Sequence, residues 1–152
     1  MHVVIVYAST GGNTELVAEQ VASELRGRKH QVTLQRAELS DPRDLSKGDL
    51  FILASPTYGH GALEGEMEAF LGKVGDMRFD GKLCAVIGLG DPKYEPLYHI
   101  ESAVILEKFL KDRGARLVAP ALRISRSPVL FLDTVVVKWA EKLTRRETLE
   151  NA

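Results

Sequence analysis

The most informative stretch of this sequence is Val3-Val4-Ile5-Val6-Tyr7-Ala8-Ser9-Thr10-Gly11-Gly12-Asn13-Thr14-Glu15. Its first five residues are apolar and rich in β-branched side chains, which predicts a strand buried on both faces. Small and polar residues follow, and apolar residues then recur at the helical spacing of Val17, Val21 and Leu25. The stretch therefore predicts a strand, a short polar loop and the start of an amphipathic helix.

A polar loop at the start of a helix can hold a phosphate group. The first backbone N–H groups of a helix have no intrahelical acceptor, and the helix dipole favours negative charge there. Hydroxyl groups add further donors, and glycines let the backbone approach an anion closely. The residues that offer these groups are Ser9, Thr10, Gly11, Gly12 and Thr14. The alternative is an ordinary turn in which Asn13 or Thr14 only caps the helix.

Two common phosphate-binding motifs do not fit this loop. A Walker loop requires Gly-Lys-Ser/Thr, and residues 9–15 contain no lysine or arginine. The dinucleotide pattern G-x-G-x-x-G fails as well, because Gly11 and Gly12 are adjacent. The sequence instead predicts a nest of amides and hydroxyls for a terminal phosphate.

Composition limits the class of protein. Twenty basic and 21 acidic residues give a net charge of −1, which argues against a nucleic-acid partner. The single cysteine, Cys84, lies in an apolar run and is expected to be buried in a reducing compartment. No apolar run reaches the roughly 20 residues of a membrane span, and the first strand leaves no room for a signal peptide. We expect one cytoplasmic domain at 1–146 with a polar tail at 147–152, and no membrane insertion.

Four more strand patterns follow along the chain, at 31–35, 49–54, 82–87 and 116–124, and helical patterns separate them. The strand at 31–35 alternates polar and apolar residues and that at 116–124 contains Pro120, so both are expected at sheet edges. The order 2-1-3-4-5 places these two outermost. It also brings together the loops at 9–14, 55–61 and 88–98, at the carboxyl ends of their strands.

The last helix is predicted to begin at Ser127 as the N-cap, with Pro128 in the first helical position. An apolar stripe is expected along one face of this helix. Its members are Leu132, Val135, Val136, Trp139 and Leu143.

Taken together, the three loops resemble those of the short-chain flavodoxins. The loop at 9–14 is similar to the family's Ser/Thr-x-Thr-Gly-x-Thr loop, with Gly11 in place of a threonine. The aromatic residue and glycine of the second loop are matched in Ser55-Pro56-Thr57-Tyr58-Gly59, and Gly-Asp-x-x-Tyr-Glu of the third in Gly90-Asp91-Pro92-Lys93-Tyr94-Glu95. The resemblance covers nearly the whole chain. It implies a flavodoxin-like three-layer doubly wound α/β fold, with a five-stranded parallel sheet in the order 2-1-3-4-5.

The resemblance also implies a function. The chain would be a low-potential one-electron carrier that binds FMN non-covalently and serves redox partner proteins, a reductase as donor and an enzyme as acceptor. It would be a monomer with no substrate, catalytic residue or metal of its own. Two alternatives stay open: a flavin-dependent NAD(P)H or quinone reductase on the same fold, and an interaction module without flavin.

Positions of the cofactor-binding residues follow from the same resemblance. The phosphate would lie on the loop at 9–14, including Asn13, with Ser55 nearby. Tyr58 and Tyr94 would flank the isoalloxazine ring, and the peptide of Gly59 would flip to accept a hydrogen bond from reduced flavin. The other residues implied are Pro56, Thr57, His60, Leu89, Gly90, Asp91 and Tyr98.

One departure from the family concerns charge. Typical flavodoxins are strongly acidic, whereas this chain has a net charge of −1. In the family, carboxylates near the ring disfavour the fully reduced, anionic flavin. We therefore expect a second reduction step at a less negative potential than is usual for the family, and partner docking with a weaker salt dependence.

Overall fold

The computed structural model describes residues 1–58, 62–90, 101–125 and 127–150. The strands are β1 (His2–Tyr7), β2 (Gln31–Arg36), β3 (Leu50–Tyr58), β4 (Ala62–Leu63), β5 (Leu83–Leu89), β6 (Arg116–Leu117) and β7 (Leu122–Ile124). The α-helices are α1 (Asn13–Gly27), α2 (Gly65–Val74), α3 (Glu101–Lys111), α4 (Val137–Leu143) and α5 (Arg146–Glu150). Short 3-10 segments lie at Ala37–Leu39, Pro42–Lys47 and Pro128–Leu130, and a π-helical segment lies at Leu132–Val136.

The main sheet is parallel and has the order β2-β1-β3-β5-β6, with β7 also paired to β5. Because β5 is the fourth strand of the sequence prediction and β6 and β7 lie in the fifth, the predicted order 2-1-3-4-5 is confirmed. Tyr7 is in register with both Arg36 of β2 and Ala54 of β3. The carboxyl ends of the central strands therefore meet at one edge, where a ligand site is expected.

Strand β1 is buried on both faces because its apolar side chains alternate between two cores. Val3 and Ile5 belong to a core that also contains residues of α1 and α4. Val4 and Val6 belong to the opposite core, with residues of α2 and α3. Helices therefore cover both faces of the sheet, which confirms the predicted three-layer, doubly wound architecture.

The predicted last strand at 116–124 is not continuous. The backbone N–H of Val118 still donates to the Cys84 carbonyl at 3.0 Å, but pairing then stops and resumes only at β7. Pro120 lies in the break, where it has no N–H to donate. Its carbonyl accepts a hydrogen bond from the Trp139 indole nitrogen at 3.0 Å instead. The edge position predicted for the strand at 116–124 is confirmed, whereas the single strand is corrected to two short ones, β6 and β7.

An extra strand, β4, was not predicted. It runs antiparallel to the end of β3, with Thr57 opposite Leu63. Leu63 lies in this strand and not in the helix that follows, because α2 begins only at Gly65. The Glu64 carboxylate is the N-cap of α2 and accepts the backbone N–H of Glu66 at 2.9 Å.

The last helix also differs from its prediction. Ser127 precedes the 3-10 segment, and its side chain makes no capping hydrogen bond within the described residues. Regular α-helix begins only at Val137, after the π-helical segment. The wider π turn changes which side chains face the core. Val135 is consequently 44% exposed, although Val136 and Leu143 are fully buried as expected.

The chain continues past Leu143 into the short helix α5. Leu149 of this helix packs against the core on the side of α1 and α4. The division into a domain at 1–146 and a tail at 147–152 stays a prediction.

Cys84 lies in the core on the side of α2 and α3, and its burial there can be tested chemically. Its side chain is fully buried in β5, and burial raises the pKa of its thiol to about 12. Because the thiolate is the reactive form, we expect Cys84 to resist iodoacetamide at pH 8 in the folded protein and to react once urea unfolds it. Mass spectrometry of the intact protein measures both reactions. Rapid, complete alkylation without urea would contradict this placement.

Candidate cofactor site

A cavity of about 430 Å³ opens at the carboxyl ends of β1, β3 and β5. Its volume lies in the range usual for small-molecule sites. Residues from all three predicted loops line it. They are Ser9, Thr10, Gly11, Asn13, Thr14, Pro56, Thr57, Tyr58, Leu89 and Gly90, together with Ser127.

The first loop leads into the N-terminus of α1 without a side-chain cap. Gly12 is the N-cap residue, and its φ of +90° lies in the left-handed region that favours glycine. Gly12 has no side chain that could accept the N–H groups of the first turn, and among the described residues neither Asn13 nor Thr14 makes a side-chain capping hydrogen bond, so the capping role considered for them is not observed. The N–H groups of the first turn therefore point towards the cavity end of the helix with no intrahelical acceptor.

Thr14 carries the most unusual polar atom of the site. The residue is 1% exposed, and its Oγ1 atom has no hydrogen-bond partner among the described residues. A buried hydroxyl without a partner costs about 1–3 kcal/mol, and such groups are rare in folded proteins. Because Thr14 lines the cavity, an anion bound there would supply the acceptor. The hydroxyl thus fits the phosphate group that the loop was predicted to bind.

Several hydrogen bonds fix the shape of this first loop. The backbone N–H of Gly12 donates to Ser9 Oγ at 3.1 Å, and that of Ala8 donates to the Ala54 carbonyl at 2.9 Å. The guanidinium of Arg36 donates to the Ser9 carbonyl at 2.7 Å. The loop is therefore tied to both neighbouring strands, β2 and β3.

Below the loop, Tyr7 and Glu15 are in contact. The Tyr7 hydroxyl donates to Glu15 Oε1 at 3.3 Å. Burial, and secondly the negative charge of Glu15, raises the pKa of Tyr7 above its ordinary value. Tyr7 therefore stays protonated and acts as a donor at physiological pH.

The second loop begins at the end of β3. Tyr58 is 38% exposed at the rim of the cavity, whereas Thr57 beside it is buried. Thr57 Oγ1 donates to Ser102 Oγ at 2.8 Å and accepts the backbone N–H of Ser102 at 3.1 Å. These bonds join the strand that carries Tyr58 to the first turn of α3.

The third loop is described only at its start. Leu89 is buried at the end of β5, and the backbone N–H of Gly90 donates to the Ile124 carbonyl at 2.8 Å. Both residues line the cavity.

Not every predicted site residue lines the cavity. Ser55 is fully buried, and its hydroxyl donates to the Pro56 carbonyl at 3.0 Å. Gly12 forms the helix cap and is not among the lining residues. Five further predicted site residues lie outside the described residues: Gly59, His60, Asp91, Tyr94 and Tyr98.

Two residues of the site were missed from the sequence. Ser127 lines the cavity, although its only signal was the Ser-Pro pair, which suggested a helix cap. Arg36 hydrogen-bonds to the first loop from the end of β2. The sequence carries no local signal for this contact, because it requires the register of β1 against β2.

Neither a metal site nor a membrane-spanning helix is found in the described ranges. No group of three or more His, Cys, Asp or Glu side chains there is arranged to hold a metal ion. None of the helices in these ranges is both long and apolar enough to cross a membrane.

The loop geometry predicts different effects for its two adjacent glycines. Gly12→Ala forces a side chain into the left-handed region, which costs about 1 kcal/mol of unfolding free energy. Gly11 does not have a positive φ, and a Cβ there meets no atom within 4 Å, so Gly11→Ala is the matched control with little effect on stability. Urea unfolding of both ligand-free variants measures the difference. Equal stabilities would contradict the assigned backbone conformation.

A doubly wound sheet with a loop suited to a phosphate group at the end of its first strand defines a class of mononucleotide-binding proteins. Comparison with known proteins narrows the class. The family model described as Flavodoxin matches residues 5–139. The chain therefore belongs to the flavodoxin family, whose members are FMN-binding electron carriers, and the resemblance seen in the sequence is confirmed.

Individual relatives agree with this assignment. Probable flavodoxin 2 of Bacillus subtilis (strain 168) is 30% identical over 127 residues, which cover 83% of each chain. The flavodoxin of Nostoc sp. (strain PCC 7120) is 30% identical over 112 residues, 74% of this chain and 65% of that protein. The crystal structure of oxidised Flavodoxin 2 from Bacillus cereus superposes with a TM-score of 0.86 at 34% identity, covering 94% of this chain and 97% of that one.

Proposed function

We propose that this chain binds one FMN non-covalently in the cavity at 9–14, 56–58 and 89–90 and works as a low-potential one-electron carrier. Its partners are redox proteins, a reductase that donates electrons and an enzyme that accepts them. The chain has no substrate of its own, and it acts as a cytoplasmic monomer. Bound FMN supplies the one-electron chemistry.

The unpartnered hydroxyl of Thr14 carries this proposal. A ligand oxygen in the cavity would accept the hydrogen bond of this buried donor at the N-terminus of α1 and remove the cost of leaving it unpaired. The uncapped first turn adds backbone N–H donors and the positive end of the helix dipole. An interaction module without a ligand would retain the cost of this hydroxyl with no gain.

The phosphate end of the ligand would be held by hydroxyls and amides. Thr14, Thr10 and Ser127 offer side-chain hydroxyls at the cavity wall, and Asn13 offers a side-chain amide. The Ser9 hydroxyl already accepts the Gly12 N–H, so its own proton is available to a ligand oxygen. These donors suit a doubly charged terminal phosphate.

The ring end of the ligand would lie against Tyr58 and the start of the third loop. Tyr58 offers an aromatic face at the rim, and Leu89 offers an apolar surface. The remaining proposed contacts, from Gly59, His60, Asp91, Tyr94 and Tyr98, rest on the family resemblance.

The surface near the cavity suits contact with a partner protein. Val129 and Leu130, close after the lining residue Ser127, are 63% and 68% exposed. Exposed apolar side chains of this size can contribute to a surface that another protein covers.

Stepwise reduction distinguishes the carrier from an enzyme. The FMN-loaded protein is reduced anaerobically with a chemical reductant while its visible spectrum and potential are recorded. We expect two resolved one-electron steps, and no reduction within minutes when NADH or NADPH is added alone. Full reduction by either nicotinamide without a partner protein would contradict the carrier and indicate a reductase.

A further inference from the structure

Arg36 lies at the carboxyl end of β2, in register with Tyr7 at the end of β1. From there its guanidinium reaches the loop at 9–14, where it donates to the Ser9 carbonyl at 2.7 Å. It also donates to Glu15 Oε2 at 3.3 Å and to Glu38 Oε1 at 3.0 Å. Within the described part of the chain, Arg36 is the cationic side chain that hydrogen-bonds to this loop.

The Glu15 carboxylate lies in the first turn of α1, at the helix end that would receive the phosphate. In the ligand-free protein the helix dipole favours this negative charge. A bound phosphate would add further negative charge at the same helix end, and like charges repel. The loop itself contains no lysine or arginine to offset the repulsion.

Arg36 supplies a positive charge from another strand, which it shares between Glu15 at 3.3 Å and Glu38 at 3.0 Å. Its side chain is one-third exposed, and Glu15 is similarly exposed at 37%, so solvent screens the pair only in part. The guanidinium also lies 5.4 Å from the centre of the Tyr7 ring, which restricts its orientation. It is therefore held where it can act on both the loop and Glu15.

We propose that Arg36 is a positioning residue of the phosphate site, which holds the Ser9 carbonyl and offsets part of the Glu15 charge, so that a doubly charged phosphate binds more tightly at the start of α1. This inference rests on the proposed function, since it requires a phosphate at this loop. It assigns the affinity of the site for its phosphate partly to a residue of β2 and to the charge of Glu15.

The test compares FMN with riboflavin, which lacks the phosphate. Binding of both ligands to ligand-free protein is measured by flavin fluorescence, for wild type, Arg36→Gln, Glu15→Gln and the double variant. Arg36→Gln should weaken FMN binding about fivefold and change riboflavin binding less than about twofold. Glu15→Gln should tighten FMN binding, and the double variant should return close to wild type.

A matched control comes from the other end of the same helix. Arg28 pairs with Glu24 at 2.9 Å, also on the surface, but far from the loop. Arg28→Gln should leave the ratio of FMN to riboflavin affinity unchanged. Arg36→Lys, which retains the charge, should recover more FMN affinity than Arg36→Gln.

The outcomes separate this inference from the proposed function. If wild type binds FMN no better than riboflavin, the phosphate site itself is wrong. If wild type prefers FMN but Arg36→Gln leaves that preference unchanged, or weakens both ligands equally, the role of Arg36 is overturned. Should Arg36→Gln fail to fold by circular dichroism, Glu15→Gln still decides, because unchanged FMN affinity in that variant would overturn the inference.

Discussion

Thr14→Val is expected to make the ligand-free protein more stable and, in the same molecule, to weaken FMN binding about 10- to 100-fold. Valine has nearly the shape of threonine but no hydroxyl. The substitution therefore removes the buried, unpartnered Oγ1 atom and raises the free energy of unfolding by about 1 kcal/mol. With FMN bound, the same change removes a hydrogen bond to a charged phosphate, which accounts for the lost affinity.

The opposite effects on stability and on FMN affinity distinguish this prediction from a general disturbance of the fold. Urea unfolding of ligand-free protein gives the stability, and fluorescence titration with FMN gives the affinity. Thr57→Val is the matched control for stability, because the Thr57 hydroxyl is buried but bonded to Ser102 at 2.8 Å. It should destabilise the ligand-free protein by about 1 kcal/mol. If Thr14→Val destabilised the ligand-free protein to the same extent, the Thr14 hydroxyl would have an acceptor in the protein.

The largest effect on stability is expected for Phe51→Ala. Phe51 lies in the central strand β3 and is 1% exposed. Its ring centre lies 5.3 Å from that of Phe79, at an interplanar angle of 52°. Truncation removes this contact and leaves a cavity between the sheet and the helices α2 and α3, at a cost of about 4 kcal/mol in unfolding free energy.

Urea unfolding of ligand-free Phe51→Ala measures this loss. Leu39→Ala is the control, because Leu39 is 78% exposed and its truncation should change stability by less than about 0.5 kcal/mol. Saturating FMN should restore part of the loss, since a ligand that binds only the folded state stabilises it. A loss below about 1.5 kcal/mol would contradict the packing assigned to this face of the sheet.

The layered fold could be predicted because its signals are local. A β-branched run before a polar loop predicted β1 and α1, and the polar alternation of β2 together with Pro120 placed the two sheet edges. The order of the strands followed from those edges. Each of these signals depends on residues close together in the sequence.

Features that depend on distant residues could not be predicted. The bonds of Arg36 to Ser9 and Glu15 require the register of β1 against β2. The break at Pro120 and the π-helical segment at 132–136 depend on how the chain end packs against β5 and α1. Propensity alone predicts one strand and one regular helix there, and tertiary packing overrides both.

For the site, the residue types were easier to predict than their hydrogen bonds and backbone conformations. A loop of hydroxyls and glycines suggested a phosphate nest, but only the structure distinguishes the bonded Ser9 hydroxyl from the unpartnered Thr14 hydroxyl. The sequence likewise could not separate Gly12, which has a positive φ, from its neighbour Gly11. These differences decide which substitutions affect the ligand and which affect the fold.

The most direct test of the central claim is titration of the ligand-free protein with FMN, followed by flavin fluorescence. We predict saturation at one FMN per chain, with riboflavin bound at least about tenfold more weakly because it has no phosphate for the loop at 9–14. Absence of saturable FMN binding, or equal affinity for the two flavins, would contradict the assignment of this cavity as a phosphate-anchored flavin site.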